Sequence, residues 1–355
     1  MGEIVDSGGE SATVALAPLL PVEPLERFLD RQALGSGPID TLKCDGGHSN
    51  LTYIVRRGDA SFVLRRPPRP PLPPSAHDVL REARVLCSLE GSGVPVPQVI
   101  ATCDDESVLG VPFYLMEYLD GVIMSLATPP ELANESSRKA IAGETVSALG
   151  ALHAVDWRSR GLDGLGKPDG YLERQLRWLA GLWERARTRD MPALDEVTQW
   201  LEANIPDQQP PTIVHGDYRI GNLMFAPGPP VTLLGLLDWE MATLGDPLAD
   251  LGYLTAHWAE PGTPGTVMSE LQPMTREAGF PDSNELAIQY AELTGRSIAR
   301  LSWYQVLALW KAAIFLEQSY RRFLSGNDLD PWFAEMADGV PELVAHARLK
   351  ADLKP

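Results

Sequence analysis

A short polar segment between two apolar runs carries residue types that can bind a metal ion or accept a proton. In "HGDYRIGNLMF", His215, Asp217 and Asn222 lie between the β-branched run "TIV" and the apolar run "LMF". A further carboxylate, Asp238, ends the apolar run "VTLLGLLD", sixteen residues after Asn222. Mg²⁺ prefers oxygen ligands such as these, and a carboxylate beside a nucleophile can accept its proton. The pattern predicts a functional loop between two strands, with a polar turn hinged at two glycines as the alternative.

Composition narrows the class of protein. The chain has 355 residues, enough for two lobes with separate cores, and a net charge of −18. This charge argues against a nucleic-acid partner, whose phosphates need a Lys/Arg-rich surface. The three cysteines have neither zinc spacing nor a disulfide framework, and no run approaches the ~20 apolar residues of a membrane helix. We expect a cytoplasmic protein without a membrane partner, whose residues 1–20 are disordered.

Residue patterns divide the chain into a β-rich part and a helical part. Between residues 38 and 119 the order is three strands, one helix and two strands. From Glu131 onward the helical period dominates, except at the strand-like residues 212–238. The prediction is an α+β fold with two lobes. Its parts are a small β-rich N-lobe over 21–116, a hinge over 117–121, and a larger, mainly helical C-lobe over 122–355.

The order of these motifs resembles a known family. An H-x-D-x-x-x-x-N loop, followed by an aspartate at the end of a strand, is the layout of protein-kinase-like phosphotransferases. "HGD", "LDWE" and "GDPLADLGYL" resemble the aminoglycoside phosphotransferase and choline kinase family. "GGHSNLTY", "FVLRRPP" and "PSAHDVLREARVL" resemble the branch in which kinase-like domains are fused to acyl-CoA dehydrogenases. The resemblance implies a bilobal protein-kinase-like fold that uses ATP and Mg²⁺.

The same resemblance implies roles for the loop residues. Asp217 orients the attacking hydroxyl and takes its proton, while Asn222 and Asp238 bind Mg²⁺. Glu240 either reaches a second metal ion through water or braces the loop. Two more residues, His215 and Asp250, are expected to support the loop rather than to react.

The small lobe carries the residues expected to contact phosphates. Gly47, Ser49 and Asn50 lie where a kinase Gly-rich loop covers the phosphates, although a hairpin turn explains the glycines equally well. Arg65 stands where the family usually has a lysine, and it keeps the positive charge in a planar fork. Glu82 is its expected partner, with an ordinary surface ion pair as the alternative.

The segment "YLMEYLDG" resembles a kinase hinge. Met116 stands at the gatekeeper position, and the backbone of Glu117 and Leu119 is expected to face the adenine ring. Further on, "WEMATLGDPLADL" passes directly from the metal aspartate into the next helix. It lacks the length of an activation segment that binds a protein substrate, which favours a small-molecule hydroxyl acceptor.

The identity of the acceptor is the least constrained prediction. The helix over 300–324 is expected to line an apolar acceptor pocket with a cationic rim, and a buried core helix is the alternative. The residues assigned to this pocket are Trp303, Trp310, Tyr320 and Arg321. We predict an acceptor that resembles a hydroxyacyl-CoA or another amphipathic hydroxy compound. Three alternatives stay open: an aminoglycoside kinase, a non-catalytic ATP-binding module and a metal-dependent hydrolase.

Overall fold

The chain folds as two units in the structure, a computed structural model that describes residues 4–5, 19–44, 50–69, 77–326 and 330–353. The small unit comprises residues 1–120 together with Asp238–Glu240, and the large unit comprises residues 121–237 and 241–355. The small unit is built on an antiparallel sheet and the large unit on helices. The predicted α+β class is therefore confirmed.

A five-stranded sheet forms the centre of the small unit. The short strands β1 (Ile4–Val5) and β2 (Leu20–Pro21) pair separately. The strands of the five-stranded sheet are β3 (Ile39–Lys43), β4 (Leu51–Arg57), β5 (Ala60–Arg66), β6 (Val99–Cys103) and β7 (Phe113–Glu117). Their spatial order is β3-β4-β5-β7-β6. The helices in the described part of this unit are α1 (Val22–Arg31), α2 (Val79–Leu89) and α3 (Glu106–Leu109). Alternate strand residues such as Tyr53, Val55 and Leu64 enter one core with Phe28 of α1.

Seven helices and five short strands make up the described part of the large unit. The helices are α4 (Glu135–Ala154), α5 (Tyr171–Ala186), α6 (Pro192–Ala203), α7 (Leu248–Ala256), α8 (Ser283–Thr294), α9 (Leu301–Leu324) and α10 (Met336–Lys350). The strands are β8 (Val122–Ile123), β9 (Thr212–Val214), β10 (Leu223–Phe225), β11 (Leu233–Leu236) and β12 (Thr243–Gly245). Helix α9 packs against α5, α6, α7 and α10, so it forms the centre of this unit.

Local sequence signals set several helix ends. Helix α8 begins with a capping box, in which Asp282 accepts from the amide of Glu285 and the Glu285 side chain accepts from the amide of Asp282. It ends at Gly295, whose φ of +68° is the left-handed geometry of a glycine cap. Among the described residues, none of the helices combines the length and the apolar character needed to cross a membrane.

Candidate active site

Arg65, on β5, lies between two carboxylates of the small unit. Its Nε donates to Glu82 Oε2 at 2.7 Å, and its Nη2 donates to Asp238 Oδ1 at 2.5 Å. Burial alone would lower the pKa of Arg65, but the charges of Glu82 and Asp238 raise it overall, so the guanidinium stays charged. The structure thus brings together Arg65 and Glu82, which the sequence analysis paired, and adds Asp238 as a second partner.

Glu82, in the first turn of α2, is the buried centre of this polar cluster, with a side chain only 1% exposed. Asn50 Nδ2 donates to its Oε1 at 2.5 Å, and the Tyr114 hydroxyl donates to its Oε2 at 3.3 Å. The Asn50 side chain is itself buried, so it braces Glu82 here, whereas the sequence analysis assigned it to a phosphate. Gly47 and Ser49, its expected companions, lie outside the described residues.

Asp238 and Glu240 follow β11 and belong to the small unit by their contacts. Asp238 has a φ of +65°, the left-handed region that residues with a Cβ rarely adopt. Such conformations cluster at functional positions, which supports a functional role for this carboxylate. Glu240 Oε2 lies 3.4 Å from Asn50 Nδ2, and its carbonyl oxygen accepts from Arg81 at 3.4 Å. These two contacts favour the bracing role for Glu240.

The expected hinge begins at the end of β7. Met116 is half-buried and pairs with Val63 of β5 in the sheet. Glu117 is exposed, and its amide donates to the carbonyl oxygen of Gln98 at 2.8 Å. Leu119 follows outside the strand and is half-buried. The three residues therefore lie in one continuous segment, and their contact with adenine stays a prediction.

The polar loop of residues 215–222 connects two short strands of the large unit. Strand β9 pairs with β12, and β10 pairs with β8 and β11, so both ends of the loop are fixed in antiparallel ladders. Within the loop, Asn222 Nδ2 donates to the carbonyl oxygen of Asp217 at 2.7 Å and to its Oδ2 at 2.8 Å. Arg219 Nε lies 3.6 Å from the same carboxylate oxygen. The loop therefore holds the Asp217 carboxylate with two residues of its own sequence.

His215 and Asp250 fix the backbone of this loop. His215 Nε2 lies 2.9 Å from the carbonyl oxygen of Leu237, so Nε2 carries the proton and donates it. Its Nδ1 then accepts from the amide of Asp217 at 3.3 Å. Asp250, on α7, accepts from the amides of His215 and Gly216 at 2.7 and 2.8 Å. Both side chains bond to groups in or next to the loop, and their supporting role stays a prediction.

Asp250 is in turn held by a buried polar chain. His153 Nε2 donates to its Oδ2 at 3.3 Å, and His153 Nδ1 accepts from the Tyr290 hydroxyl at 2.7 Å. Burial would raise the pKa of Asp250, but the hydrogen bonds from His153 and Gly216 lower it overall. The anchor is therefore an ionised carboxylate at neutral pH.

The Asp217 carboxylate is also kept ionised. Burial would raise its pKa, but the charge of Arg219 and the hydrogen bonds from Tyr253 and Asn222 lower it overall. Tyr253 belongs to α7, one helical turn after Asp250. An ionised carboxylate held by neighbours on its own loop and on α7 can orient a hydroxyl and accept its proton.

Lys311, on α9, is a functional candidate that the sequence analysis missed. Its Nζ donates to the carbonyl oxygen of Gly216 at 2.7 Å, directly before Asp217 in the chain. The same Nζ lies 5.4 Å from the ring centroid of Tyr253 and 5.8 Å from that of Phe315. With Gly216 and Tyr253 it lines a cavity of about 20 Å³. The one signal in the sequence is that Lys311 is the single charged residue in the apolar stretch 301–316.

Trp303 and Trp310 were assigned to the acceptor pocket, and the structure instead buries both in the core, at 1% and 0% exposure. Their indole N–H groups donate to the carbonyl oxygen of Leu201 and to Thr198 Oγ1, so both rings face α6. Lys311 follows Trp310 by one residue, and one residue turns an α-helix by about 100°. The two tryptophans thus lie on a face of α9 adjacent to the face whose Lys311 contacts Gly216 of the polar loop.

Tyr320 and Arg321 lie further along α9. The Tyr320 ring is half-buried, with the guanidinium of Arg189 5.1 Å from its centroid. Arg189 also forms an ion pair with the buried Glu317 at 2.8 Å, which ties α9 to the segment before α6. Arg321 is exposed. The contacts of Tyr320 are therefore those of a helix junction, while Arg321 remains a surface cation.

A family model described as the phosphotransferase enzyme family matches residues 40–272. The chain belongs to this family. Acyl-CoA dehydrogenase family member 10 from Mus musculus is 36% identical to it over 312 residues, which are 87% of this chain and 29% of that protein. The human family member 11 is 32% identical over 333 residues, 90% of this chain and 42% of that protein. This phosphotransferase chain thus spans less than half the length of these two relatives.

Solved structures show the same fold. A crystal structure from Ralstonia eutropha JMP134, provisionally described as an aminoglycoside phosphotransferase, has a TM-score of 0.80 at 30% identity and covers 94% of this chain and 98% of that one. Choline kinase from Cryptosporidium parvum Iowa II has a TM-score of 0.63 at 12% identity, over 94% and 96% of the two chains. The aminoglycoside phosphotransferase APH(2")-IIIa, solved with GDP and kanamycin, has a TM-score of 0.61 at 18% identity, over 90% and 97%. The kinase-like fold and the family predicted from the motifs are both confirmed.

Proposed function

We propose that this chain transfers the γ-phosphoryl group of ATP to a hydroxyl group of a small molecule. The observation that carries the proposal is the Asp217 carboxylate, which is ionised and held by Asn222 at 2.8 Å and by Arg219 at 3.6 Å. It is also supported by membership of the phosphotransferase family. Related folds were solved with GDP or ADP, which supports a nucleotide as the phosphoryl donor.

The chemistry assigns one step to Asp217. Its carboxylate accepts a hydrogen bond from the acceptor hydroxyl and takes the proton as the hydroxyl oxygen attacks phosphorus. A bond forms between that oxygen and the γ-phosphorus, the bond from the γ-phosphorus to the bridging oxygen breaks, and ADP leaves. The charge of Arg219 and the neighbouring hydrogen bonds lower the pKa of Asp217 more than burial raises it. The carboxylate is therefore in its proton-accepting form at neutral pH.

The donor groups fit a magnesium ion. Asn222 uses its amide nitrogen for both bonds to Asp217, and its amide oxygen is the atom that a hard cation takes. Asp238 offers a carboxylate whose side chain is 34% exposed and whose present partner is the guanidinium of Arg65 at 2.5 Å. When bound, the ion neutralises charge that develops on the transferred phosphoryl group. Asn222 and Asp238 are the residues that we propose hold it.

Arg65 is the proposed phosphate ligand of the small unit. Its guanidinium is fixed on one edge by Glu82 through Nε, while Nη2 bonds to the more exposed Asp238. An anchored planar fork suits bidentate contact with phosphate oxygens. Arginine in place of the usual lysine is thus compatible with nucleotide binding, which favours an active kinase over a non-catalytic ATP-binding module.

The metal-dependent hydrolase would count His215, Asp246 and Asp250 among its metal ligands. It is not favoured, because these three side chains already bond to other groups of the protein. His215 bonds to Leu237 and Asp217, and Asp250 bonds to two loop amides and to His153. Asp246 accepts from the amides of Gln209 and Leu248 and from the Tyr304 hydroxyl. The carboxylates of Asp246 and Asp250 therefore hold backbone amides. Within the described residues, no three His, Cys, Asp or Glu side chains are grouped so that they could bind a metal ion.

For the acceptor we propose a hydroxyacyl-CoA-like or other amphipathic hydroxy compound. The relatives named above carry acyl-CoA in their names. The contacts of Lys311 add support, since its Nζ bonds to Gly216 and lies 5.8 Å from the Phe315 ring centroid. The half-exposed Trp178 ring lies 5.8 Å from that of Phe315. An aminoglycoside is the second candidate, because the Ralstonia structure and the kanamycin complex carry that description.

A turnover screen tests the proposal. Purified chain with ATP and Mg²⁺ is offered hydroxyacyl-CoAs in one panel and kanamycin-type aminoglycosides in another, with ADP release and product mass as readouts. We expect ADP release that depends on both Mg²⁺ and a hydroxyacyl-CoA, with a product one phosphoryl group heavier. If only aminoglycosides were phosphorylated, the proposed acceptor would be wrong and the kinase assignment would stand. Turnover of phosphate or acyl esters without ATP would overturn the kinase assignment itself.

A further inference from the structure

Two polar side chains of the large unit lie close to the ring of Tyr253. Lys311 Nζ lies 5.4 Å from the Tyr253 ring centroid, and the His257 ring lies edge-on to it with 4.6 Å between centroids. The Tyr253 hydroxyl itself bonds to Asp217. The three side chains therefore lie next to the carboxylate proposed as the base.

His257, directly after α7, is 1% exposed, and within the described part of the chain neither of its ring nitrogens has a hydrogen-bond partner. Buried polar groups almost always have one, and each exception needs an explanation. The backbone of His257 is fixed, because Gln272 Nε2 donates to its carbonyl oxygen at 2.9 Å. Burial lowers the pKa of His257 to about 3, so the ring is neutral and presents one N–H donor.

Lys311 has N–H donors besides the one that bonds to the protein backbone. An ammonium group has three N–H donors, and one of them is used by the carbonyl oxygen of Gly216. Its Nζ stands between the rings of Tyr253 and Phe315, and it lines the cavity of about 20 Å³ with Tyr253 and Gly216. A cation in an aromatic frame attracts electron-rich oxygen atoms and repels ammonium groups.

We propose that Lys311, His257 and Tyr253 form an acceptor subsite that binds a carbonyl or carboxylate oxygen of the molecule whose hydroxyl reaches Asp217. This inference rests on the proposed function and adds which acceptors are selected. Lys311 and His257 donate to the oxygen, and Tyr253 separates it from Asp217 while holding that carboxylate. Acceptors that carry an ammonium group at this position are rejected by the charge of Lys311.

Two acceptors of equal length test the charge selection. Hydroxyhexanoate and aminohexanol share the terminal hydroxyl and the chain length, and differ in a carboxylate against an ammonium group. We expect the wild-type chain to have a kcat/KM for hydroxyhexanoate at least about tenfold higher than for aminohexanol. The substitution Lys311→Met should lower this ratio by about tenfold or more, since it removes the discriminating charge. A general folding defect would lower both values and leave their ratio unchanged.

Two further variants test which residues cause the selection between the two acceptors. Lys139→Met removes an exposed lysine of α4 and should leave the ratio at the wild-type value. His257→Phe keeps the ring contact with Tyr253 and removes the two nitrogens, so it should raise the KM for hydroxyhexanoate by about tenfold without lowering thermal stability. An unchanged ratio in Lys311→Met, or an unchanged KM in His257→Phe, would overturn the subsite.

Binding of the same two compounds separates this proposal from the proposed function. Saturation-transfer NMR with the wild-type chain and Mg·ATP analogue reports binding even where turnover is absent. Tighter binding of hydroxyhexanoate than of aminohexanol, lost in Lys311→Met, supports the subsite. Equal binding of the two compounds overturns it, whatever the turnover. Absence of any ATP turnover with all acceptors counts against the kinase assignment alone.

Discussion

Replacing His257 by phenylalanine should make the large unit less sensitive to acid. The pKa of this histidine is lowered from 6.5 to about 3, chiefly by burial, with Lys311 and Arg219 lowering it further and Asp217 opposing them. Between these two pH values the unfolded chain binds one more proton than the folded chain. The free energy of unfolding therefore falls as the pH drops from 6.5 towards 3.

The size of this effect follows from the two pKa values. The pKa of His257 is 6.5 in the unfolded chain and about 3 in the folded chain. At pH 5 this difference lowers the free energy of unfolding by about 2 kcal/mol relative to pH 8. The phenyl ring cannot be protonated, so His257→Phe should lack this part of the acid sensitivity. At pH 8 the variant should be at least as stable as the wild type, because a phenyl ring needs no hydrogen-bond partner.

Urea denaturation at pH 8 and pH 5, followed by tryptophan fluorescence, measures this difference. Of the nine tryptophans, Trp239 alone is grouped with the small unit, so the signal reports the large unit. His346→Phe is a suitable control, because His346 on α10 is not buried, and it should keep the wild-type pH dependence. If His257→Phe loses as much stability between the two pH values as the wild type does, the ring is not a buried neutral imidazole and the reasoning fails.

Three further predictions concern the scaffold of the site. Arg65→Ala should raise the Kd for Mg·ATP by far more than that for adenosine. It should also destabilise the small unit by about 3–5 kcal/mol, because the buried Glu82 loses its cationic partner. Isothermal titration and urea denaturation measure the two effects, and Arg65→Lys should recover part of each. Asp250→Asn should lower the free energy of unfolding by about 1–3 kcal/mol and should lower kcat, because the amides of His215 and Gly216 lose an ionised acceptor. Gly216→Ala should cost at least about 1–2 kcal/mol, since φ is +85° and the new Cβ would lie 2.8 Å from the carbonyl oxygen of Met241; thermal denaturation and kcat report this change.

Each of these predictions can be contradicted by a simple outcome. Equal ATP affinity of the wild type and Arg65→Ala would remove Arg65 from the nucleotide site. Wild-type stability of Asp250→Asn would mean that other contacts fix the loop. Wild-type stability and turnover of Gly216→Ala would show that the loop backbone accepts a different conformation.

Local patterns predicted much of the fold because they act over a few residues. The alternation in "LTYIVRR" and "SFVLRR" predicted strands that are observed at Leu51–Arg57 and Ala60–Arg66. The apolar pieces "TIV" and "LMF" around the polar loop are the strands Thr212–Val214 and Leu223–Phe225. The sequence analysis gave no bounds for the helix at Met336–Lys350, because its proline at 341 interrupts the pattern that marks a helix.

Sequence patterns could not predict contacts between residues that are distant in the chain. The acceptor pocket was assigned to Trp303 and Trp310 because large aromatic residues on a helix fit either a pocket or a core. The two tryptophans pack against α6 and therefore belong to the core. The face of α9 that contacts Gly216 is the one that carries Lys311. Asn50 was assigned to phosphate from its position in a turn, whereas a carboxylate 32 residues away binds its side chain.

The most direct test of the account is single-turnover phosphoryl transfer by the wild type and Asp217→Asn. The enzyme is mixed in excess over labelled Mg·ATP with a hydroxyacyl-CoA acceptor, and the phosphorylated product is followed in time. We expect Asp217→Asn to bind Mg·ATP as the wild type does and to transfer the phosphoryl group ~10²–10⁴ times more slowly, the loss typical of a positioned base. A rate equal to that of the wild type would contradict the assignment of Asp217 as the catalytic base.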